Sequence, residues 1–280
     1  MSSPNRSLGA GGRLTSIVAS LLLVACAGAS PPSPKAPGPD PAHAELSALA
    51  AEIVGDETDP RQQAIRVFDY VRDEIRFGFT GRFDMADPSF TVDKGRGHCN
   101  PQTELFVTLL RSLGIEARQS FVTIGPEILD GLMPGPAPAL EEINHSFAEV
   151  RLDDRWIRVD GYIVDPPLAR AAKSRLRAEG AEIGYGAHVD SCSVWNGIDD
   201  CMSQFVSSDM AREGGAHGAF EPDEFYAIDA YTQEMTVYTR LMYRWFGKRM
   251  MNRKIDKVRR SAPAPEAADA ERAIPAGGAF

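Results

Sequence analysis

Three residues of types that together make an acyl-transfer site occur in order along this 280-residue chain: Cys99, His145 and Asp160. Cys99 stands in Gly97-His98-Cys99-Asn100-Pro101-Gln102-Thr103-Glu104, just ahead of a run in which Leu105, Phe106, Leu109, Leu110 and Leu113 share one helical face. A thiol attacks only as thiolate, and the free N–H groups at a helix start favour negative charge. Gly95 and Gly97 leave room for a substrate to approach the backbone, and a first-turn N–H is placed to meet an oxyanion. Taken alone, the segment also suits a small buried hydrophobe, the commonest role of a free cysteine.

A hairpin supplies the partners. HSFAEVRL (145–152) and RWIRVDGY (155–162) read as strands, and a two-residue Asp153-Asp154 turn pairs positions whose numbers sum to 307. Position 152 then faces 155, 149 faces 158, and 147 faces 160. Alternation sends Ser146, Ala148, Val150, Leu152, Ile157 and Val159 to an apolar face that can pack on a core. The other face collects His145, Phe147, Glu149, Trp156, Arg158 and Asp160, with His145 and Asp160 as diagonal neighbours that hydrogen bonding can join. Such a carboxylate fixes the imidazole tautomer and leaves the second nitrogen for a thiol. Glu149 and Arg158, directly opposite, are expected to form a cross-strand ion pair.

Other elements must hold these residues in place. Leu46, Leu49 and Ile53 recur at helical spacing before Gly55. Asp59 and Pro60 open a second helix with the stripe Ile65, Phe68, Val71 and Ile75, and Gly78 closes it. Residues 79–97 read as loop, 119–124 as a strand, and the Pro/Gly-rich 131–140 as loop. Beyond Pro167 the pattern is mixed helix and loop, with 224–250 helical.

A helix-terminal Cys, a strand His and an Asp fifteen residues later, carried by AIRVFDYVRDEIRF, GHCNPQTELFVTLLRSLGIEAR and HSFAEVRLDDRWIRVDGY, resemble the transglutaminase-like superfamily over about residues 60–165. The resemblance implies a papain-like α+β fold: N-terminal helices, with the Cys on a helix start packed against an antiparallel sheet bearing His and Asp. It implies Cys99 as nucleophile, His145 as base and then acid, Asp160 as the orienting residue, and a thioester acyl-enzyme formed on an amide or peptide bond. Hydrolysis is preferred over crosslinking, because nothing in the sequence marks an amine-acceptor site. The alternative is a non-catalytic peptide- or protein-binding module of the same fold. No cofactor is implied: no acidic cluster has calcium-loop spacing, and His98 beside Cys99 would diverge from it rather than share a zinc ion.

The N-terminus sets the compartment. Arg6 and Arg13, an apolar run from Leu14 to Ala25, and Leu23-Val24-Ala25-Cys26 look like a bacterial lipoprotein signal over residues 1–25, which implies lipidation of Cys26 and an envelope location with a lipid anchor in a membrane. Cleavage there removes two arginines and no acid, taking the formal charge from −9 to −11. That acidity excludes a general nucleic-acid binder. Of the remaining cysteines, Cys192 and Cys201 are nine positions apart in a polar segment and suit a disulfide, which leaves Cys99 free. The expected organisation is a linker at 26–43, a transglutaminase-like domain at 44–166, a mixed helical extension at 167–260 and a disordered tail at 261–280. Nine Lys or Arg against one Asp lie between Arg240 and Arg260, interleaved with Leu241, Met242, Trp245, Phe246 and Met250. Packing of that apolar stripe on the domain is favoured over a membrane surface.

Overall fold

The computed structural model describes residues 41–133, 141–233 and 235–265. The expected signal, Cys26, most of the linker, most of the 131–140 loop and most of the tail lie outside them. Residues Pro39–Phe280 form one compact unit.

Helices α1 (Pro41–Val54) and α2 (Pro60–Glu74) lead the chain. Asp59 caps α2 by accepting from the Arg61 N–H, and Pro60 fills the first position, where no amide hydrogen is needed. Strand β1 (Arg76–Phe77) pairs in parallel with β2 (Arg96–Gly97). Between them lies α3 (Pro88–Lys94), where the sequence pattern reads as loop. Its signals are the same as for α2, with Asp87 accepting from the Phe90 N–H, Pro88 at the start and Gly95 at φ 52° as a left-handed stop. Seven residues are too few to show helical periodicity.

Helix α4 (Cys99–Ser112) is the centre of the molecule, with Leu105, Phe106, Leu109 and Leu110 fully buried. Phe106 packs on Tyr162 at 4.3 Å, and Phe68 and Trp195 complete an aromatic cluster around them. Truncating one of these leucines to alanine would cost about 2–5 kcal/mol in cavity and lost transfer energy.

Against α4 lies an antiparallel sheet of order β5–β4–β3–β8, made of β3 (Ala117–Ile124), β4 (Ile143–Leu152), β5 (Arg155–Val159) and β8 (Ala211–Ala219). Asp153 and Asp154, at φ 49° and 58°, make the two-residue turn, and Leu152 faces Arg155 and Glu149 faces Arg158. Left-handed backbone at both turn residues is the conformation that matches strand twist, and Asp tolerates it. The Glu149–Arg158 ion pair, however, does not form. Glu149 sits on an inner strand with a neighbour on each side, and it accepts from Arg118 Nε at 2.8 Å and from Ser120 Oγ at 2.6 Å on β3. Arg158 turns to Asp200 instead, at 2.8 Å.

After the hairpin come α5 (Pro166–Glu179), the short β6 (Ile183–Gly184) and β7 (Ala187–His188), then β8 and α6 (Pro222–Phe225). β8 adds the fourth strand where the sequence shows only mixed helix and loop; its three glycines mask strand periodicity. Residues 226–233, 235 and 236 are not helical, and α7 (Val237–Met242) and α8 (Lys248–Arg259) are joined by a π-turn at Tyr243–Gly247. This C-terminal rod is held most firmly at its α8 end, through buried Ile255 and Val258 and through Arg259, which donates to both carboxylate oxygens of Asp165 at 2.8 and 2.7 Å.

Candidate active site

The nucleophile candidate opens a helix. Cys99 is the first residue of α4, His98 occupies the cap position, and Pro101 removes a donor where the first turn has no intrahelical acceptor for it. Gly97 serves packing rather than ligand access, since a Cβ there would meet Gln102 Cγ at 2.9 Å and Thr91 Cγ2 at 3.3 Å.

The next strand brings the base. His145 lies on β4, its exposure is 1%, and its Nε2–H donates to Asp160 Oδ2 at 3.1 Å. Since a carboxylate only accepts, that bond leaves Nδ1 as the lone-pair nitrogen. Asp160 follows β5 directly and is fully buried. Its carboxylate accepts from the Ser203 N–H, from Gln204 N at 3.3 Å and from Phe205 N at 3.0 Å, while its own N–H reaches Cys201 O at 3.0 Å. Cys201 is bonded to Cys192, and a Cβ at Gly161 would meet the Cys201 sulfur at 2.7 Å. The disulfide thus presses on the backbone immediately after Asp160.

Cys99 and β4 meet through Ser146, the residue after His145: the N–H groups of Ser146 and Asn100 favour the thiolate. They are outweighed. Burial, followed by the negative charge of Asp84, pushes the Cys99 thiol up to about 12, with Asp160 adding in the same direction. With 8% exposure, the cysteine is protonated at neutral pH in this arrangement, so the helix start alone does not make the thiolate that its position suggests.

Sequence reasoning missed a second histidine–carboxylate pair on the other side of Cys99. His98 is 5% exposed, and its Nε2 donates to Asp84 Oδ1 at 2.6 Å. Asn100 Nδ2 meets the same oxygen at 3.0 Å, and Tyr231 OH donates to Oδ2 at 2.7 Å. The His98 ring packs against Phe79 and Phe83, at 5.1 and 4.9 Å, in a three-ring cluster whose two phenylalanines are 6.1 Å apart. Phe83 holds φ 53°, a strained conformation for a bulky residue that this stacking maintains. Because its Nε2 serves Asp84 while that of His145 serves Asp160, the two rings are committed to different carboxylates.

Gln119 was also missed. Its Nε2 bridges Asn100 O at 3.3 Å and Ser146 Oγ at 2.9 Å, tying the α4 start to β4. Segment 226–232 crosses the same seam. Besides the Tyr231–Asp84 bond, Ala230 O accepts from Asn144 Nδ2 at 3.1 Å and Thr232 N donates to Asn144 Oδ1 at 2.8 Å, one residue before His145. This strap links the cysteine side to the histidine side and keeps the site closed.

Residues 47–161 match the family model described as the transglutaminase-like superfamily. No curated protein matches the chain. Among solved structures it is similar to a protein of Cytophaga hutchinsonii proposed to be a cysteine protease, with 17% identity, 44% of this chain and 39% of that chain covered, and TM-score 0.35. Another is a protein of Parabacteroides distasonis proposed to be a protease, with 12% identity, 46% and 24% covered, and TM-score 0.31. The chain therefore spans about two-fifths or less of the length of these two proteins.

Proposed function

We propose that the protein, whose residues 47–161 match the transglutaminase-like superfamily model, is a thiol hydrolase of amide or peptide bonds working through a Cys99 thioester. The observation that carries this reading is that a helix-terminal thiol meets the Ser146 N–H on the strand whose preceding residue, His145, is oriented by a buried, backbone-anchored Asp160.

In this reading the reaction runs through an acyl-enzyme in two halves. As the Cys99 sulfur attacks the substrate carbonyl carbon, its proton passes to His145 Nδ1, and Asp160 stabilises the imidazolium. First-turn N–H groups of α4, at Cys99 and Asn100, lack intrahelical acceptors and receive the developing oxyanion. Collapse expels the amine, which takes the proton from His145 and leaves the thioester. Water then attacks that thioester, giving a proton to His145; the acid departs and the proton returns to sulfur. An amine in place of water would make the same site a crosslinker. A protonated resting thiol suits this concerted route better than a standing thiolate–imidazolium pair.

We further read the chain as an envelope lipoprotein held in the membrane by a lipid on Cys26, acting on a peptide or protein substrate. The test of the chemistry is mass spectrometry of peptide pools incubated with residues 39–280, with hydroxylamine added to trap the acyl group as hydroxamate. Products that vanish in both Cys99→Ala and His145→Ala are expected. Products that persist in Cys99→Ala would remove the thioester reading, and a wild type that makes none but retains peptides would favour the binding module.

A further inference from the structure

The C-terminal rod leaves an apolar stripe uncovered. Val237, Tyr238, Leu241, Met242, Trp245, Phe246 and Met250 are between 41% and 87% exposed, an arrangement rare on a protein that faces only water. Their spacing of four is maintained through the π-turn at Tyr243–Gly247, whose wider 4.4-residue turns hold residues four apart in register. The opposite side faces the domain: Tyr243 OH donates to Thr80 O at 2.7 Å, and Tyr243 stacks edge-on with Phe83 at 5.4 Å.

A cationic bowl borders the stripe. Arg82, Arg96, Arg240, Arg244, Lys248 and Arg249 line an open cavity of about 800 Å³. Arg82 is paired with Asp87 and Arg96 approaches Asp256 at 3.8 Å. Among the described residues, Arg240, Arg244, Lys248 and Arg249 form no ion pair. This concentration of positive charge occurs on a chain whose formal charge is −9.

We propose that this rod docks on an anionic phospholipid surface, with Trp245, Phe246, Leu241 and Met242 entering the headgroup boundary while Arg240, Arg244, Lys248 and Arg249 meet lipid phosphates. Charge complementarity selects the occupant: an apolar protein groove would satisfy the stripe but leave four cations facing it, whereas an anionic bilayer supplies both the apolar layer and the phosphates. Among the described residues no helix is long and apolar enough to cross a membrane, so the rod lies on the surface. The inference stands apart from the Cys99 chemistry and from the Cys26 anchor.

The experiment uses residues 39–280, which form a compact unit with its own core and lack both the apolar leader and Cys26. Sedimentation with phosphatidylcholine vesicles containing phosphatidylglycerol, beside phosphatidylcholine alone, should show at least about tenfold stronger partition to the anionic vesicles, weakened by salt. A blue shift of tryptophan emission that is absent from Trp245→Phe places the ring in the bilayer. Arg240→Glu/Arg244→Glu and Trp245→Ser/Phe246→Ser should each lose most binding, and these exposed positions should leave the unfolding temperature unchanged. Equal partition to both vesicles, or wild-type binding by either pair of substitutions, would overturn the proposal. So would complete displacement by inorganic phosphate with no effect of Trp245→Ser/Phe246→Ser, which would mark a simple anion site.

Discussion

Two histidine–carboxylate pairs flank Cys99, and they are supported in opposite ways. Asp160 is held by backbone: N–H groups of Ser203, Gln204 and Phe205 surround its carboxylate, and the strand beside it carries His145. Asp84 is held by side chains, those of His98, Asn100 and Tyr231. Backbone donors cannot swing away, so the first pair keeps one geometry as substrate arrives. The second depends on Tyr231, part of the strap, and on a His98 ring packed against two phenylalanines. On the proposed mechanism, this contrast favours proton transfer by His145–Asp160 and positioning of the α4 start by His98–Asp84.

The largest effect should come from breaking the backbone-held pair. Asp160→Asn leaves a hydrogen bond but permits the wrong tautomer, and a loss of about 10⁴ in kcat is expected by analogy with serine triads. Asp84→Asn should cost about tenfold at most and leave the acid limb unshifted, while removal of a charge that raises the Cys99 thiol should move the alkaline limb to lower pH. If instead Asp84→Asn or His98→Ala matched the loss in His145→Ala and moved the acid limb of kcat/KM, the roles of the two pairs would have to be exchanged.

Next in size is the closed state of the thiol. With the Cys99 pKa pushed up to about 12, the thiolate fraction near neutral pH is roughly three orders of magnitude below that of an ordinary cysteine. Iodoacetamide should therefore label native Cys99 about 10³-fold more slowly than the unfolded chain, with a rate still rising above pH 10. Asn144→Ala with Tyr231→Phe removes the strap's contacts on both sides, and labelling should accelerate at least tenfold. Fast labelling of the wild type below pH 7 would show that a thiolate–imidazolium pair pre-exists and that burial does not govern the sulfur.

A smaller effect tests the anchorage of Asp160. The Cys192–Cys201 bond closes a short loop, for which chain entropy gives about 3 kcal/mol. Cys201 O accepts from both Asp160 N and Gly161 N, so reduction should lower kcat several-fold with little change in KM, as expected when orientation is loosened and binding is not. Unchanged kcat after verified reduction would mean that the 203–205 donors hold Asp160 without the disulfide.

How much of this was legible follows from the range of the interactions. The hairpin register was readable because a two-residue turn and strict alternation fix it locally, and the helix cap at Asp59 is local as well. The Asp84–His98 pair was hidden because Asp84 lies in a three-residue 3-10 turn, Phe83–Met85, with no periodicity to reveal it. The donors to Asp160 are backbone amides of Ser203 to Phe205, which any side chains would supply, so no sequence pattern announces them. The misassigned Glu149–Arg158 pair shows the complementary limit: the register was right, yet each side chain had another strand or loop within reach. The uncovered rod was visible as composition, but whether it packs depends on domain surface that sequence spacing does not describe.

The smallest effect concerns Glu104, on the Cys99 helix but outside both pairs. Burial, then the nearby negative charges of Asp223, Asp87 and Glu221, push its carboxyl up to about 8, from an ordinary value of 4.5. Between those two pH values the folded chain holds a proton that the unfolded chain has lost. Its stabilising contribution is thus fully present below about 4.5 and is lost as pH rises towards 8, a change of a few kcal/mol at most. Glu104→Gln keeps the shape without the charge, so it should flatten the dependence of Tm on pH in that window. It should unfold about 5 °C above the wild type at pH 8.5, with the two converging near pH 4. If kcat at the same pH is unaltered, Glu104 tunes stability alone and the division of labour between the two histidine pairs stands; a kcat change tracking the Glu104 titration would place a third ionisable group in the reaction.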